Sequence, residues 1–486
     1  MKRTGRYSLV FFSTNGKRTE IIGLILVSHL VYFILANCYT LPILTEDSAG
    51  YISSAVTGKY GGYRPYGYSF FMRIVGSFSK SWYLFSYIQF FLHLLSTLVF
   101  CFTIESFFKA QTRVSFFIFS FLVVCSESLI FMNFWIMSDS IYISLTLIWL
   151  SSLIWLLQAR KPWILVVNSL LIYSILKIRL AAVDLPFIAI VLMIGFKKRA
   201  FVLPIALNFA VVLIVYFQGI EENKQASGVS SFSPFSGWVL ANNATSILPY
   251  VTVDTDKFDD PDVLRIHTIC TAYPDTFFNR YHVLNTSFIW HNGHAGKAAL
   301  MEFYHVKQNV PYINCWAQMG VKMQKYGKGL IMQQPFEFGR RFIFWNACRY
   351  FQPTHSFEAN TSSEQLVNIP HWFVLPKTKS DEQTTKVDTV MKSISKIEYQ
   401  LSLFMALLAL FVISINRNRF TAIQKQVLLI IFALTFLSSI FLILAHPIHL
   451  RYVMVYYPIF ISLIYIAYNF YRYNGQNYPD QKSRIP

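Results

Sequence analysis

The sequence predicts an all-α polytopic membrane protein of about ten transmembrane passes, with an extracytoplasmic soluble domain inserted before the last three. Three observations predict the membrane class. Hydrophobic residues make up 54% and charged residues only 14% of the 486-residue chain, and the mean hydropathy of +0.42 is too high for a soluble protein of this length. Apolar runs of about 20 residues, enough to cross a bilayer, recur along the chain. The Lys and Arg residues behind the net charge of +18 sit in short clusters between those runs. Such clusters orient a chain in a membrane, so nucleic acid is not an expected partner.

The N-terminal MKRTGRYSLVFFSTNGKRTE is basic, with a short apolar patch and no small-residue cleavage pattern, so the helix after it is expected to be retained as an anchor. Spans are expected near 21–43, 83–108, 114–134, 141–157, 200–217, 397–416, 423–445 and 451–471. The region 162–196 is interrupted by Lys177, Arg179 and Asp184 and reads as two shorter or tilted helices meeting at LKIRLAAVDLP. Basic clusters lie at Lys2, Arg3, Arg6, Lys17 and Arg18, at Lys109 and Arg113, at Arg160 and Lys161, at Lys197 to Arg199, at Arg417 and Arg419, and from Arg472 onward. All fall on one side if ten passes leave both termini cytoplasmic. Asp47, Asp139, Arg179, Asp184 and the stretch His446 to Arg451 then reach the opposite face.

Between Gln218 and Lys396 the composition turns polar and mixed. EENKQASG, DTDKFDDPD and KTKSDEQTTK read as solvated loops, and YHVKQNVPYINCWAQMGVKMQKYGKGLI as helix. The expected division is 1–217, an N-terminal transmembrane region with a chemistry-bearing first outside loop; 218–396, an extracytoplasmic soluble domain; and 397–486, a C-terminal transmembrane region with a cytoplasmic tail. The six cysteines show no CxxC or CxxH spacing, which argues against a zinc or redox site. Cys270, Cys315 and Cys348 fall in the polar segment, where an oxidising compartment would permit one disulfide. Asn243, Asn285 and Asn360 match the glycosylation acceptor pattern.

The stretch Leu44 to Gly76, a polar aromatic loop between two apolar runs, is where chemistry is expected. Asp47, with Glu46 before it and Tyr51 after it, suits a general base for an acceptor hydroxyl or amine. It equally suits a ligand of a divalent metal shared with a second carboxylate, or a charge marking the end of a helix. Asp139 in NFWIMSDSIYISL either helps to cap the next helix or joins Asp47 at the same face. Arg64 in YRPYGY, Lys177 and Arg179 in LKIRLAAVD, and Arg451 beside His446 and His449 in HPIHLRYVMVYYP form a basic set. The planar fork of arginine matches a phosphate. Snorkelling to head groups explains any one of these residues, but three clusters on one face fit it less well.

These residues resemble a family, the GT-C glycosyltransferases, which use polyprenyl-phosphate-linked sugars. The resemblance rests on Glu46-Asp47-Ser48 in the first outside loop, on RPYGYSFFMRI, which resembles an Arg-Pro-x-Gly-Tyr-Pro stretch, and on Ser138-Asp139-Ser140 at the next outside turn. It also rests on the late HLRYVMVYYPIF, similar to an element of the protein mannosyltransferase and aminoarabinose transferase branches. It covers about the first 200 residues and the last three spans. Ser69 stands where the pattern has proline, and the soluble region precedes the last three spans where many relatives carry it at the C-terminus.

The resemblance implies a hexosyl- or pentosyltransferase of glycan or cell-envelope biosynthesis. Such an enzyme passes a sugar from a polyprenyl-phosphate donor to a lipid, glycan or protein acceptor by inverting displacement. It implies Asp47 as catalytic base, Asp139 as a second acidic site residue, and Arg64, Arg179 and Arg451 as donor-phosphate ligands, with Glu46, Lys177 and His449 as accessories. No cofactor is assigned; metal dependence varies in the superfamily, which leaves a divalent metal open. The expected partners are the donor and membrane lipid, in a bacterial inner membrane with the site facing the periplasm, or its eukaryotic equivalent, the endoplasmic reticulum lumen. Two alternatives are kept. One is another transferase acting on lipid-linked substrates, either an O-antigen-ligase-like enzyme, for which Arg280, His291 and His294 are candidates, or an acyltransferase; the other is a lipid or sugar transporter, which paired broken helices would favour, though only 162–196 is interrupted.

Overall fold

The computed structural model describes residues 15–60, 62, 64–109, 112–157, 162–188, 202–272, 295–306, 309–354, 372–374 and 381–476. The regular structure among these residues is helical, and their β contacts are isolated bridges. Among the described residues, eight helices are long and apolar enough to cross a membrane: Arg18–Cys38, Trp82–Phe107, Arg113–Phe134, Asp139–Leu156, Ile205–Ser227, Thr389–Ile415, Ala422–Ala445 and Leu450–Tyr471. The chain is a multi-pass helical membrane protein.

The predicted interruption near Arg179 is present. Helix α8, Pro162–Ile178, stops there, and an extended Arg179 leads into a 3-10 turn, Leu180–Asp184. A guanidinium and a carboxyl cannot be left facing hydrocarbon, so the chain turns where they occur. Residues 189–201 lie outside the described residues, and with them the second helix of this region and the count of ten.

Lipid is as apolar as the helices it surrounds, so packing and interhelical hydrogen bonds must hold a bundle together. Leu450–Tyr471 is its hub, with 83% of its apolar window buried against 11% for Ile205–Ser227. Polar ties include Tyr32 to Ser86 at 3.3 Å, Trp155 to Thr103 at 3.0 Å, Asn168 to Ser152 at 2.8 Å and Ser115 to Asn469 at 3.1 Å.

The stretch Leu44 to Gly76 is not an open loop but two short helices, α2, Glu46–Thr57, and α3, Gly67–Phe78. Thr45 and Ser48 form a capping box at the start of α2, and Gly58 ends it with φ +70°, a left-handed conformation open to glycine. The Ser69 hydroxyl donates to the Tyr51 carbonyl at 3.0 Å, tying α3 to α2 at the position where proline was expected.

A second hydrophobic core, separate from that of the spans, is built from residues between Val229 and Trp345 and contains Trp238, Cys270, Cys315, Trp316 and Tyr326. The predicted long helix breaks near Pro311 into Ala295–Val306 and Tyr312–Gln333. The expected boundaries at 217 and 396 fall inside the continuous helices Val202–Ser227 and Asp381–Ile415, which run beyond their apolar stretches. None of the six cysteines is in a disulfide, so the bridge allowed in the polar segment does not form. Asn243 is buried and donates to the Ala445 carbonyl at 3.0 Å, which leaves no room for a glycan; Asn285 and Asn360 lie outside the described residues.

Candidate active site

Two backbone hydrogen bonds set the frame of the site. The Ile43 N–H donates to the Phe134 carbonyl at 2.9 Å and the Ile136 N–H to the Ile43 carbonyl at 3.1 Å. They tie the entry to α2 to the turn before α7, Asp139–Leu156. The Ser48 hydroxyl adds a bond to the Ile136 carbonyl at 2.9 Å, and the Tyr51 hydroxyl one to Ser138 at 3.2 Å. Asp47, in the first turn of α2, and Asp139, the first residue of α7, are thereby brought to one place. Ser138 makes no capping bond of its own, and Asp139 turns to Arg179.

The arginines come from three other segments. Arg64 pairs with Asp47 at 2.5 Å, and its guanidinium lies 4.3 Å from the centre of the Phe235 ring. Arg179 pairs with Asp139 and lies over Tyr142 at 5.3 Å and Tyr452 at 4.8 Å. Arg451 stands 4.0 Å from Asp47, donates to the Tyr452 hydroxyl at 2.9 Å, and has a buried Nε with no hydrogen-bond partner among the described residues. All five line one cavity of about 430 Å³.

Gly67 explains how Arg64 and Arg179 come together. A Cβ there would sit 2.5 Å from the Lys177 carbonyl oxygen, so only glycine lets α3 dock on the end of α8. Arg451 is held from outside the spans. The buried Asn346 donates to the Ile443 carbonyl at 2.7 Å and the His446 carbonyl at 2.6 Å, and accepts from the Ile448 N–H at 2.8 Å, fixing the turn before Arg451.

Charges govern this cavity. Burial alone would raise the Asp47 pKa, but Arg64, Arg451 and Arg179 outweigh it and hold the carboxyl below its ordinary value. Burial likewise works against the Arg64 charge, and Asp47 outweighs it. His446 and His449 are lowered to about 3, first by burial and then by Arg451 and its neighbours, so both are neutral near pH 7. Three guanidinium groups face two carboxylates at one part of the cavity, and a third carboxylate, Asp184, lines the rest.

Two of the accessory residues, Lys177 and His449, do not join them. Lys177 pairs with Glu222 at 2.5 Å, away from the cavity wall, because it lies on the flank of α8 and not in the turn beyond it. His449 faces Thr354 at 3.4 Å and is likewise off the wall, while His446 is on it. The Glu46 backbone opens α2; its side chain lies outside the described residues, as do Arg280, His291 and His294. Among the described residues no three His, Cys, Asp or Glu gather as a metal site, and both site carboxylates already face arginine. The aromatic walls Tyr142, Phe235 and Tyr452 and the brace Asn346 carry no sequence signal that singles them out from other residues of their type. Comparison with models of protein families, with curated proteins and with solved structures found no match for this chain.

Proposed function

We propose that the chain is a GT-C-type membrane glycosyltransferase that moves a sugar from a polyprenyl-phosphate donor to an acceptor outside the cytoplasm. The observation that carries this reading is the convergence of Arg64, Arg179 and Arg451 with Asp47 and Asp139 in one cavity at the ends of the spans. Three converging guanidinium groups and a buried unpartnered Arg451 Nε suit a phosphate, and apolar helices around them suit the lipid that carries one.

Paired with Arg64, Asp47 is a weak base. An incoming phosphate competes for Arg64 and frees a carboxylate oxygen. The acceptor oxygen or nitrogen then attacks the anomeric carbon, its proton passes to Asp47, and the carbon–oxygen bond to phosphate breaks, leaving the lipid phosphate on the arginines. Asp139 holds Arg179 in place. With this reading go ten passes, cytoplasmic termini, and the 218–396 segment on the side of the site, in a bacterial inner membrane.

Purified wild type and Asp47→Asn, both checked by thermal melts, are assayed for transfer of radiolabelled sugar from polyprenyl-phosphate donors. Transfer by wild type with a loss of about 10²–10⁴-fold in the variant is expected for removal of a general base. Full activity in folded Asp47→Asn would falsify that role, and failure of wild type with every donor would remove the function.

A further inference from the structure

Asp184 ends the 3-10 turn after Arg179 and lines the same cavity. Unlike Asp47 and Asp139, it makes no ion pair among the described residues. Tyr142, Ser438 and Tyr456 line the cavity with it. Burial pushes its pKa up to about 6, the consequence of a carboxylate enclosed without a cation. The Tyr142 ring, 5.3 Å from the Arg179 guanidinium, lines the same cavity as Asp184, beside its cationic part.

The cavity thus has two chemistries. The arginine part matches a phosphate. The Asp184 part offers carboxylate oxygens, which accept hydroxyl hydrogen bonds, and two aromatic rings, which cover apolar C–H faces, with no cation. That combination fits a neutral polyhydroxylated ring. Within the reading given above, we propose that Asp184, with Tyr142 and Tyr456, forms the subsite for the sugar ring of the donor, next to the arginines that take its phosphate.

The test compares binding of two probes to the detergent-purified full chain: a short polyprenyl phosphate, and the same lipid bearing one hexose or one pentose, followed by tryptophan fluorescence. Wild type is expected to favour a sugar-bearing lipid by about tenfold, the scale of hydrogen bonds to a charged group. Asp184→Ala is expected to bind the bare lipid as wild type does and to lose that preference, while Arg179→Gln weakens both. Asp184→Asn keeps the shape and one acceptor, guards against collapse of the pocket, and shows an intermediate preference. A preference kept in both folded Asp184 variants, or absent from wild type that binds the lipids, overturns the subsite and leaves the phosphate reading standing. Wild type that binds neither lipid removes the phosphate reading and the subsite with it.

Discussion

At the scale of single residues, the cavity holds carboxylates in opposite electrostatic states. Asp47 is held below its ordinary pKa, so its ionised form contributes stability above the unfolded value, which is lost as pH falls. Asp184 is the reverse. Its pKa rises from 3.8 to about 6, so the folded chain binds its proton more tightly and loses stability as pH climbs through that window. Asp184→Asn is therefore expected to melt above wild type at pH 7 and level with it at pH 4; equal melting at both would show that the site does not strain its carboxylate. The sequence announced Asp47, Asp139 and the three arginines because charges beside apolar runs are conspicuous. It could not show that Asp184 lacks a cation while Lys177, two positions before Arg179, has its own partner in Glu222. That distinction depends on which way a turn presents its side chains.

Among the elements, the contact of α3 with α8 does most to shape the site. It brings the segment after Arg64 against the backbone just before Arg179, with Gly67 at the point of closest approach. Gly67→Ala is expected to cost about 1–3 kcal/mol through overpacking, read as a lower melting temperature, and to weaken binding of polyprenyl phosphate. Gly50→Ala in α2, where nothing lies within 4 Å, serves as the control and should melt no lower than wild type. The helices themselves were legible from apolar length. Their ends were less so: α2 and α3 hid in a stretch too polar and aromatic to show a period, and Val202–Ser227 runs past its apolar part into EENKQAS.

For the whole molecule, the spans carry a sidedness that the basic clusters suggest and that labelling can measure. In intact cells or oriented vesicles, a cysteine placed at Asp256, in the segment between the spans, is expected to react with a membrane-impermeant maleimide from outside, and one at Arg417, between two late spans, only after permeabilisation. The same side for both would break the ten-pass arrangement. Native Cys348 is exposed and is replaced by serine in both constructions.

The two peptide bonds' worth of pairing between Ile43 and the Phe134 to Ile136 turn has a longer reach in inheritance. Since main-chain groups make these contacts, another apolar residue of similar size at buried Ile43, Phe134 or Ile136 leaves the hydrogen bonds in place. Descendants of this chain can diverge in spelling there while handing down the same architecture, and kinship among them would be traced by shape after the letters had drifted apart.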